Sequence, residues 1–202
     1  MATDVSDAAQ VESLVAKGVE KYGRLDVVYA NAGINSVWSP VEEITPEEWD
    51  RTQNINLRGT FLTVKYAVPR LKANASGGSI LITSSVNGNR TFSTAGASAY
   101  STSKAGQVAF MKMVAIELGR HNICANAICP GAIHTNIGTN TQHRHTDEIG
   151  IHVELPDGNP GLHGGQGEPD DVAGACVFLA SDMSRHISGV ELYVDGAASL
   201  LR

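Results

Sequence analysis

The chain has 202 residues, of which 42% are hydrophobic and 18% charged, a composition typical of a globular protein with one domain. Its formal net charge of −6 argues against a nucleic acid or an anionic membrane as partner, because both repel negative charge. No signal peptide or membrane-spanning run is expected. The cysteines Cys124, Cys129 and Cys176 lie in apolar segments, so we expect buried free thiols in a reducing compartment, the cytoplasm.

The first part of the chain predicts a helix, a strand and a small polar turn. Apolar residues recur with helical spacing from Val11 to Tyr22, and Gly23 is expected to end that helix. Residues 25–30 (LDVVYA) then predict a short buried strand. The triplet Asn31-Ala32-Gly33 follows at the carboxyl end of this strand.

A strong helix start lies at Thr45. This residue is a candidate N-cap, Pro46 suits the first helical position, and Glu48 can complete a capping box. The helix is expected to run to about residue 71, with a bend near Pro69. Residues 79–83 (SILIT) predict a second buried strand, which a loop of small residues follows.

The second half of the chain continues the alternation. It predicts a helix at residues 99–119, a strand at 123–128, a helix at 169–179 and a strand at 190–194. Between them, residues 135–167 are polar and rich in Gly, His and Asn, which predicts a long substrate lid or loop. The alternation predicts an α/β fold, a doubly wound parallel sheet, as a single domain over residues 1–202.

Tyr100 and Lys104 lie four residues apart, so both project from one face of the predicted helix. Such pairs are common on solvated helices. This pair follows the loop of the second strand, and ligands bind beyond the carboxyl ends of parallel strands. A phenol has a pKa of about 10, and an adjacent ammonium is expected to lower the pKa of Tyr100 towards neutrality. A nearby serine hydroxyl can bind a substrate carbonyl.

Six motifs, in this order, resemble those of the short-chain dehydrogenase/reductase family and extend over essentially the whole chain. They are Asn31-Ala32-Gly33, Asn56-Leu57-Arg58-Gly59, Ser84-Ser85, Tyr100-Ser101-Thr102-Ser103-Lys104, Pro130-Gly131-Ala132-Ile133-His134-Thr135 and Val194-Asp195-Gly196. The resemblance implies a Rossmann-like fold. It also implies an NAD(P)-dependent oxidoreductase that interconverts a secondary alcohol and a ketone by hydride transfer.

The resemblance implies a role for each matching residue. Tyr100 would be the catalytic acid/base, and Lys104 would lower the pKa of Tyr100 and bind the nicotinamide ribose. Ser85 would polarise the substrate carbonyl, with Ser84 as the neighbouring alternative. Asn56 would hold the water of a proton relay to Lys104.

The resemblance also implies contacts to a cofactor, NAD or NADP. Asn31 would mainly brace the sheet, with Ala32 and Gly33 beside the cofactor. Asp4 and Val5 would touch the adenine. The remaining cofactor contacts would come from Pro130, Gly131, Ile133 and Thr135, the last two on the carboxamide and phosphate side.

Two features depart from the family pattern. The loop from Ser85 to Tyr100 looks slightly longer than usual, which would alter one wall of the substrate pocket. The larger departure is that no Thr-Gly-x-x-x-Gly-x-Gly turn occurs in the sequence. We therefore expect the first βαβ unit to be missing and the 202 residues to bind a dinucleotide poorly. The strand at residues 25–30 would then have a free edge, with four candidates for exposure: Leu25, Val27, Val28 and Tyr29.

Alternatives stay open at this point. The missing glycine turn motivates a second hypothesis, a catalytically inactive fragment that is kept as a binding or interaction protein or arises from an incomplete gene sequence. A sugar-nucleotide epimerase would share the Tyr-x-x-x-Lys pair, but no extra substrate domain follows. No metal site is expected, because the spacing of the loop histidines is loose and no Cys or carboxylate completes a set. These histidines are His143, His145, His152 and His163.

The partners expected are a small alcohol or carbonyl substrate and further copies of the same chain. The helices at residues 46–71 and 99–119 resemble the family's dimer interface, which implies a homodimer or homotetramer of the intact protein. Phe110, Met111 and Met113 place apolar side chains on more than one helical face. Trp38 is either core or pocket wall, and core is the favoured interpretation.

Overall fold

Strands and helices alternate along the chain in the computed structural model, which describes residues 1–150 and 165–201. The strands in these residues are β1 (Val27–Ala30), β2 (Val37–Trp38), β3 (Gly78–Thr83), β4 (Ile123–Pro130), β5 (Gln142–His143) and β6 (Glu191–Val194). The helices are α1 (Ala8–Tyr22), α2 (Pro46–Gln53), α3 (Gly59–Lys72), α4 (Ser98–Leu118), α5 (Thr146–Ile149) and α6 (Pro169–Ala180).

The central sheet is parallel, with four strands in the order β1-β3-β4-β6. Side chains of β3 alternate between its two faces. Ile80 and Ile82 pack into the larger core cluster with residues of α3 and α4, whereas Leu81 packs with Leu179 of α6. Because helices cover both faces, the central strands are apolar on both sides. The predicted α/β fold with a doubly wound parallel sheet is confirmed.

Side-chain caps define where the first helices begin. Asp7 caps α1 by accepting hydrogen bonds from two backbone N–H groups, so the helix starts before the apolar stripe at Val11. Gly23 ends it in the left-handed conformation, as predicted. At α2, Thr45 and Glu48 form the predicted capping box.

The single helix predicted for residues 46–71 is wrong in one respect. A π-helical turn, Asn54–Arg58, separates α2 from α3. The carbonyl of Asn56 accepts a hydrogen bond from the Thr60 hydroxyl at 2.7 Å, and Asn56 itself is completely buried. The insertion therefore turns one polar side chain inwards, and such turns are frequent at functional sites.

The first strand is an edge of the sheet, because β1 pairs only with β3 among the described residues. Val27 and Tyr29 are exposed, at 39% and 38%, as predicted. The prediction is wrong for Val28, which is buried, and for Leu25, which packs against the core below α3. Alternation along the strand explains the burial of Val28, since one face of β1 stays covered, whereas Leu25 lies before the start of β1.

The predicted lid contains the strand β5 and the helix α5 within its described residues, 135–150 and 165–167. It starts and ends at one neck, where Ile133 pairs with Gly167 and the His134 backbone N–H donates to the Gly167 carbonyl at 2.9 Å. His134 also lies 2.6 Å from the carboxylate of Glu168. Within the lid, β5 pairs in parallel with β2. Part of it, residues 151–164 with His152 and His163, lies outside the described residues.

Two expectations drawn from composition have separate outcomes. All three cysteines are free, but only Cys129 is buried; Cys124 and Cys176 are half-buried, so that part of the prediction is wrong. They lie at the start of β4 and on α6, where cover is incomplete. In the part of the chain that the structure describes, no helix has the length and apolar character needed to cross a membrane.

Candidate active site

Polar groups from three strand ends meet at the carboxyl edge of the sheet. The Thr83 hydroxyl, at the end of β3, lies 2.8 Å from the amide oxygen of Asn31, which follows β1. The backbone N–H of Ser84 donates to the Ile128 carbonyl of β4 at 2.8 Å. Helix α4 is fastened over this edge, because the Ser84 hydroxyl donates to the Lys104 carbonyl at 2.9 Å.

Ser85 lies near Tyr100 and Lys104, which both belong to the first turns of α4. The Ser85 hydroxyl accepts a hydrogen bond from the Asn87 backbone N–H at 3.2 Å and acts on the Tyr100 phenol, whose pKa it lowers. Ser84 is turned towards the helix backbone instead. This division of roles favours Ser85 over Ser84 as the serine that faces a substrate.

The pKa of Tyr100 contradicts the sequence prediction. Burial raises the pKa of this phenol, and the hydrogen bond from Ser85 only partly offsets that rise. Tyr100 is 9% exposed. The Lys104 ammonium lies 5.5 Å from the centre of the phenol ring and donates to the Thr83 carbonyl at 2.8 Å. Desolvation therefore outweighs the neighbouring charge, and Tyr100 is a protonated phenol at neutral pH.

Lys104 is the group whose pKa moves towards neutrality. Its ammonium is buried, and desolvation lowers the pKa of Lys104 to about 8. The ordinary pKa of a lysine is about 10.4. Lys104 can therefore gain or lose a proton near physiological pH, which Tyr100 in the same environment cannot.

Asn56 holds the loop after β1 against α4. Its side-chain oxygen accepts from the Ile34 backbone N–H at 2.8 Å, and its side-chain nitrogen donates to the Ile34 carbonyl at 2.9 Å. The same nitrogen donates to the Ser103 hydroxyl at 3.0 Å. The backbone carbonyl of Asn56 is occupied by Thr60 and Gln107. What stays free to bind a water is the second lone pair of the side-chain oxygen.

Gln107 is a site-supporting residue that sequence reasoning missed. It is completely buried on α4 and donates to the Asn56 carbonyl at 2.9 Å and to the Thr60 hydroxyl at 2.7 Å. It follows Lys104 by three residues, so it shares the face of that residue. The signal available in the sequence was a polar residue on the face of α4 that is buried.

Two glycines lie at the edge of the site where a Cβ atom would come close to neighbouring side chains. A Cβ atom on Gly33 would lie 3.3 Å from the Asn56 side-chain oxygen and 3.4 Å from the Lys104 nitrogen. A Cβ atom on Gly131 would lie 2.7 Å from the Asp195 Cβ atom. Ala32 and Asn31 are exposed at this edge, and Pro130 ends β4 beside it.

Four other predicted cofactor residues lie elsewhere. The Asp4 carboxylate accepts from the backbone N–H and hydroxyl of Ser6, and Val5 packs against Gly59. Ile133 belongs to the neck of the lid, and Thr135 is exposed just beyond it. Within the described residues, no hydrogen bond joins Asp4, Val5, Ile133 or Thr135 to Tyr100 or Lys104.

Trp38 is half-buried beside Tyr100 and belongs to neither core cluster, so the favoured interpretation of Trp38 as core was wrong. The two ring centres are 6.4 Å apart. The ring of His143 meets Trp38 edge to face at 5.3 Å, because Trp38 and His143 are partners in the ladder of β2 and β5. The sequence carries no local signal for a pairing between residues about a hundred positions apart.

The lid strand β5 is clamped onto α2 and the turn before it. Arg144 donates to the Glu43 carbonyl at 2.7 Å and forms an ion pair with the Glu48 carboxylate. His145 lies 2.9 Å from the Glu43 carboxylate. Glu48 is held in turn by the capping box with Thr45. The clamp therefore joins the lid to a rigid helix start.

Comparison with known proteins gives the family. The chain matches the family model described as Enoyl-(Acyl carrier protein) reductase over residues 1–198. A putative short-chain type dehydrogenase/reductase of Mycolicibacterium smegmatis is 35% identical over 207 residues, which cover 98% of this chain and 72% of the relative. The chain belongs to the short-chain dehydrogenase/reductase family.

Solved structures of short-chain dehydrogenases/reductases agree with the fold. A 3-ketoacyl-ACP reductase from Sinorhizobium meliloti is similar with a TM-score of 0.95 and 50% identity, covering 100% of this chain and 79% of that one. A 3-ketoacyl-(acyl-carrier-protein) reductase from Brucella melitensis, complexed with NADH, has a TM-score of 0.85 and 31% identity, covering 98% and 77%. The Rossmann-like fold expected from the motifs is therefore confirmed.

Proposed function

We propose that this site interconverts a secondary alcohol and a ketone, with NAD or NADP as the hydride carrier. One observation carries the proposal: the buried Lys104 ammonium lies 5.5 Å from the centre of the buried Tyr100 ring, and the buried Ser85 hydroxyl is near enough to that phenol to lower its pKa. Two proton donors and a cation at the carboxyl edge of a parallel sheet suit a reaction that places negative charge on a carbonyl oxygen.

The residues present fit the nicotinamide end of a dinucleotide. Gly33 has no side chain to cover Lys104, whose nitrogen would lie 3.4 Å from a Cβ atom at that position. The Lys104 ammonium has three N–H groups and, among the described residues, one acceptor, the Thr83 carbonyl. Two donors therefore remain for ribose hydroxyls. When bound, the dinucleotide supplies hydride exchange. The sequence holds no glycine-rich turn for the pyrophosphate, so we expect weak binding by these 202 residues.

Proton transfer falls to the residues of the chain itself. The raised pKa of Tyr100 keeps the phenol protonated, which is the form that donates a proton to the oxygen of a ketone during reduction. Ser85 donates a hydrogen bond to the same oxygen as its negative charge develops. Lys104, with its pKa near 8, then supplies or removes the proton, and Asn56 offers a lone pair for a connecting water.

Deuterium transfer tests the proposal even if turnover is low. The chain is incubated with ketones and NADH carrying deuterium at C4, and the alcohols are analysed by mass spectrometry. We expect deuterated product from the wild type and a loss of at least ~10²-fold in Tyr100→Phe. Tyr22→Phe, at a residue that is 72% exposed, is the matched control.

The opposite results would favour the alternative function. Equal product from Tyr100→Phe and wild type would refute Tyr100 as acid/base. Absence of labelled product from the wild type, with either NADH or NADPH, would favour the catalytically inactive interaction protein, which the missing glycine turn motivates.

A further inference from the structure

We propose that the indole N–H of Trp38 is a substrate-recognition donor, which selects carbonyl compounds with a second acceptor oxygen near the reacting carbonyl. The inference rests on the proposed function and names the substrate class of the same site. It starts from one unusual group: the indole nitrogen of Trp38 is buried and has no hydrogen-bond partner within residues 1–150 and 165–201.

Among the described residues, Trp38 differs in kind from the others that have a buried polar atom without a partner. Thr91 and Ser98 carry hydroxyls that rotate and can both donate and accept, and the amides of Asn89 and Gln107 are bonded through their nitrogen atoms. An indole can only donate. Nearly all buried donors in native proteins have a partner, so an acceptor that arrives with a ligand is the natural complement of Trp38.

The position of Trp38 is fixed before any substrate arrives. Its carbonyl accepts from the Arg144 backbone N–H at 2.9 Å, and the N–H of Ser39 donates to the Gly96 carbonyl at 3.1 Å. Gly96 has φ +80, and a Cβ atom there would lie 2.6 Å from the Ser39 nitrogen. Glycine is therefore required for this contact, which joins the Trp38 strand to the segment just before α4. A donor held in this way needs no reorganisation to bind.

The substrate class follows from comparing the hydrogen-bond donors of the site with the acceptor oxygens of a substrate. In the proposed function the hydroxyls of Tyr100 and Ser85 both bind the reacting carbonyl oxygen, so the donor of Trp38, whose ring centre lies 6.4 Å from that of Tyr100, needs another oxygen. A β-keto ester or a cyclic dione carries such an oxygen, whereas a plain ketone leaves the indole unpaired. A site built around a hydrogen bond rejects analogues that lack the partner group. We expect a preference of about 10- to 100-fold.

Nuclear magnetic resonance can observe this hydrogen bond directly, because the chain has only two tryptophans, Trp38 and Trp49. The ¹⁵N-labelled 202-residue chain, with NADH present, is titrated with two matched pairs of probes. Ethyl acetoacetate is compared with 2-hexanone, and cyclohexane-1,4-dione with cyclohexanone. Trp38→Phe, which keeps an aromatic ring without the donor, assigns the signal, and Trp49→Phe is the control.

We expect the oxygen-rich probe of each pair to move the Trp38 indole signal downfield and to leave that of Trp49 in place. Trp38→Phe should weaken binding of these probes by about 10- to 100-fold and leave the affinity for the plain ketones unchanged. Equal binding within both pairs, or no binding of either oxygen-rich probe, would overturn the inference. Binding of the dione without deuterium transfer would refute the proposed function while supporting the role of Trp38.

Discussion

Replacing Asn56 with alanine should destabilise the chain far more than one buried polar side chain usually does. The substitution leaves two backbone groups of Ile34, its N–H and its carbonyl, without their partner. An unsatisfied buried group costs roughly 1–3 kcal/mol, and Ile34 is half-buried, so we expect a total of about 2–4 kcal/mol. For a chain of this size that loss lowers the melting temperature by about 5–15 °C.

Gln107→Met is the matched control for Asn56→Ala, because both residues are completely buried in the same network. Methionine removes two donated hydrogen bonds, yet the Asn56 carbonyl keeps the one from Thr60. It also removes the side-chain oxygen of Gln107, which has no partner. These effects offset each other, so the free energy of unfolding should change by no more than about 1 kcal/mol.

Urea unfolding followed by circular dichroism measures both free energies of unfolding. The reasoning fails if Asn56→Ala costs less than about 1 kcal/mol, or if Gln107→Met is equally costly. The first result would mean that the loop after β1 does not depend on the side chain of Asn56, and the second that the cost belongs to the buried network as a whole.

Three further predictions concern charge, the lid and assembly. The pKa of Lys104 is lowered on folding to about 8 from 10.5, so the unfolded chain binds more protons between these values and the stability of the wild type rises with pH across them. Lys104→Met should raise the free energy of unfolding by about 2 kcal/mol at pH 7, less at pH 10, and a gain independent of pH in urea unfolding would contradict this. Arg144→Met removes charge-assisted hydrogen bonds to the α2 start, so amide hydrogen exchange in β5 should accelerate about 10- to 100-fold; unchanged exchange would show that the clamp is dispensable. Phe61 is 43% exposed and meets the half-buried Phe110 edge to face, so Phe61→Lys should convert a dimer into monomers by light scattering, whereas a monomeric wild type would refute the expected interface.

Local sequence signals were sufficient for much of the fold. The apolar run around Ile80 predicted β3, and Thr45 with Glu48 predicted the start of α2, because each signal depends on residues a few positions apart. The π-helical turn has no such signal, since Asn54–Arg58 inserts one residue into an otherwise helical pattern. Strand β5 has only two residues, too few to show an alternation.

The site likewise has residues that local motifs predicted and features that depend on burial or on residues distant in sequence. Tyr100, Lys104 and Ser85 were predicted from ordered motifs, and the structure brings the three together. The direction of the Tyr100 pKa was predicted wrongly, because spacing along a helix shows the nearby cation but not the depth of burial. Trp38 was misplaced because its neighbour His143 is distant in sequence.

The neck at Ile133 and Gly167 has an evolutionary consequence. A segment that leaves and rejoins the scaffold at adjacent points can change in length at low entropic cost, because loop closure depends only weakly on loop length. Sequence drift between the two points leaves the register of β4 with its neighbours untouched. Descendants of such a chain can therefore gain or lose residues in this segment, while the parallel sheet that carries Ser85 and Lys104 at its edge stays the same.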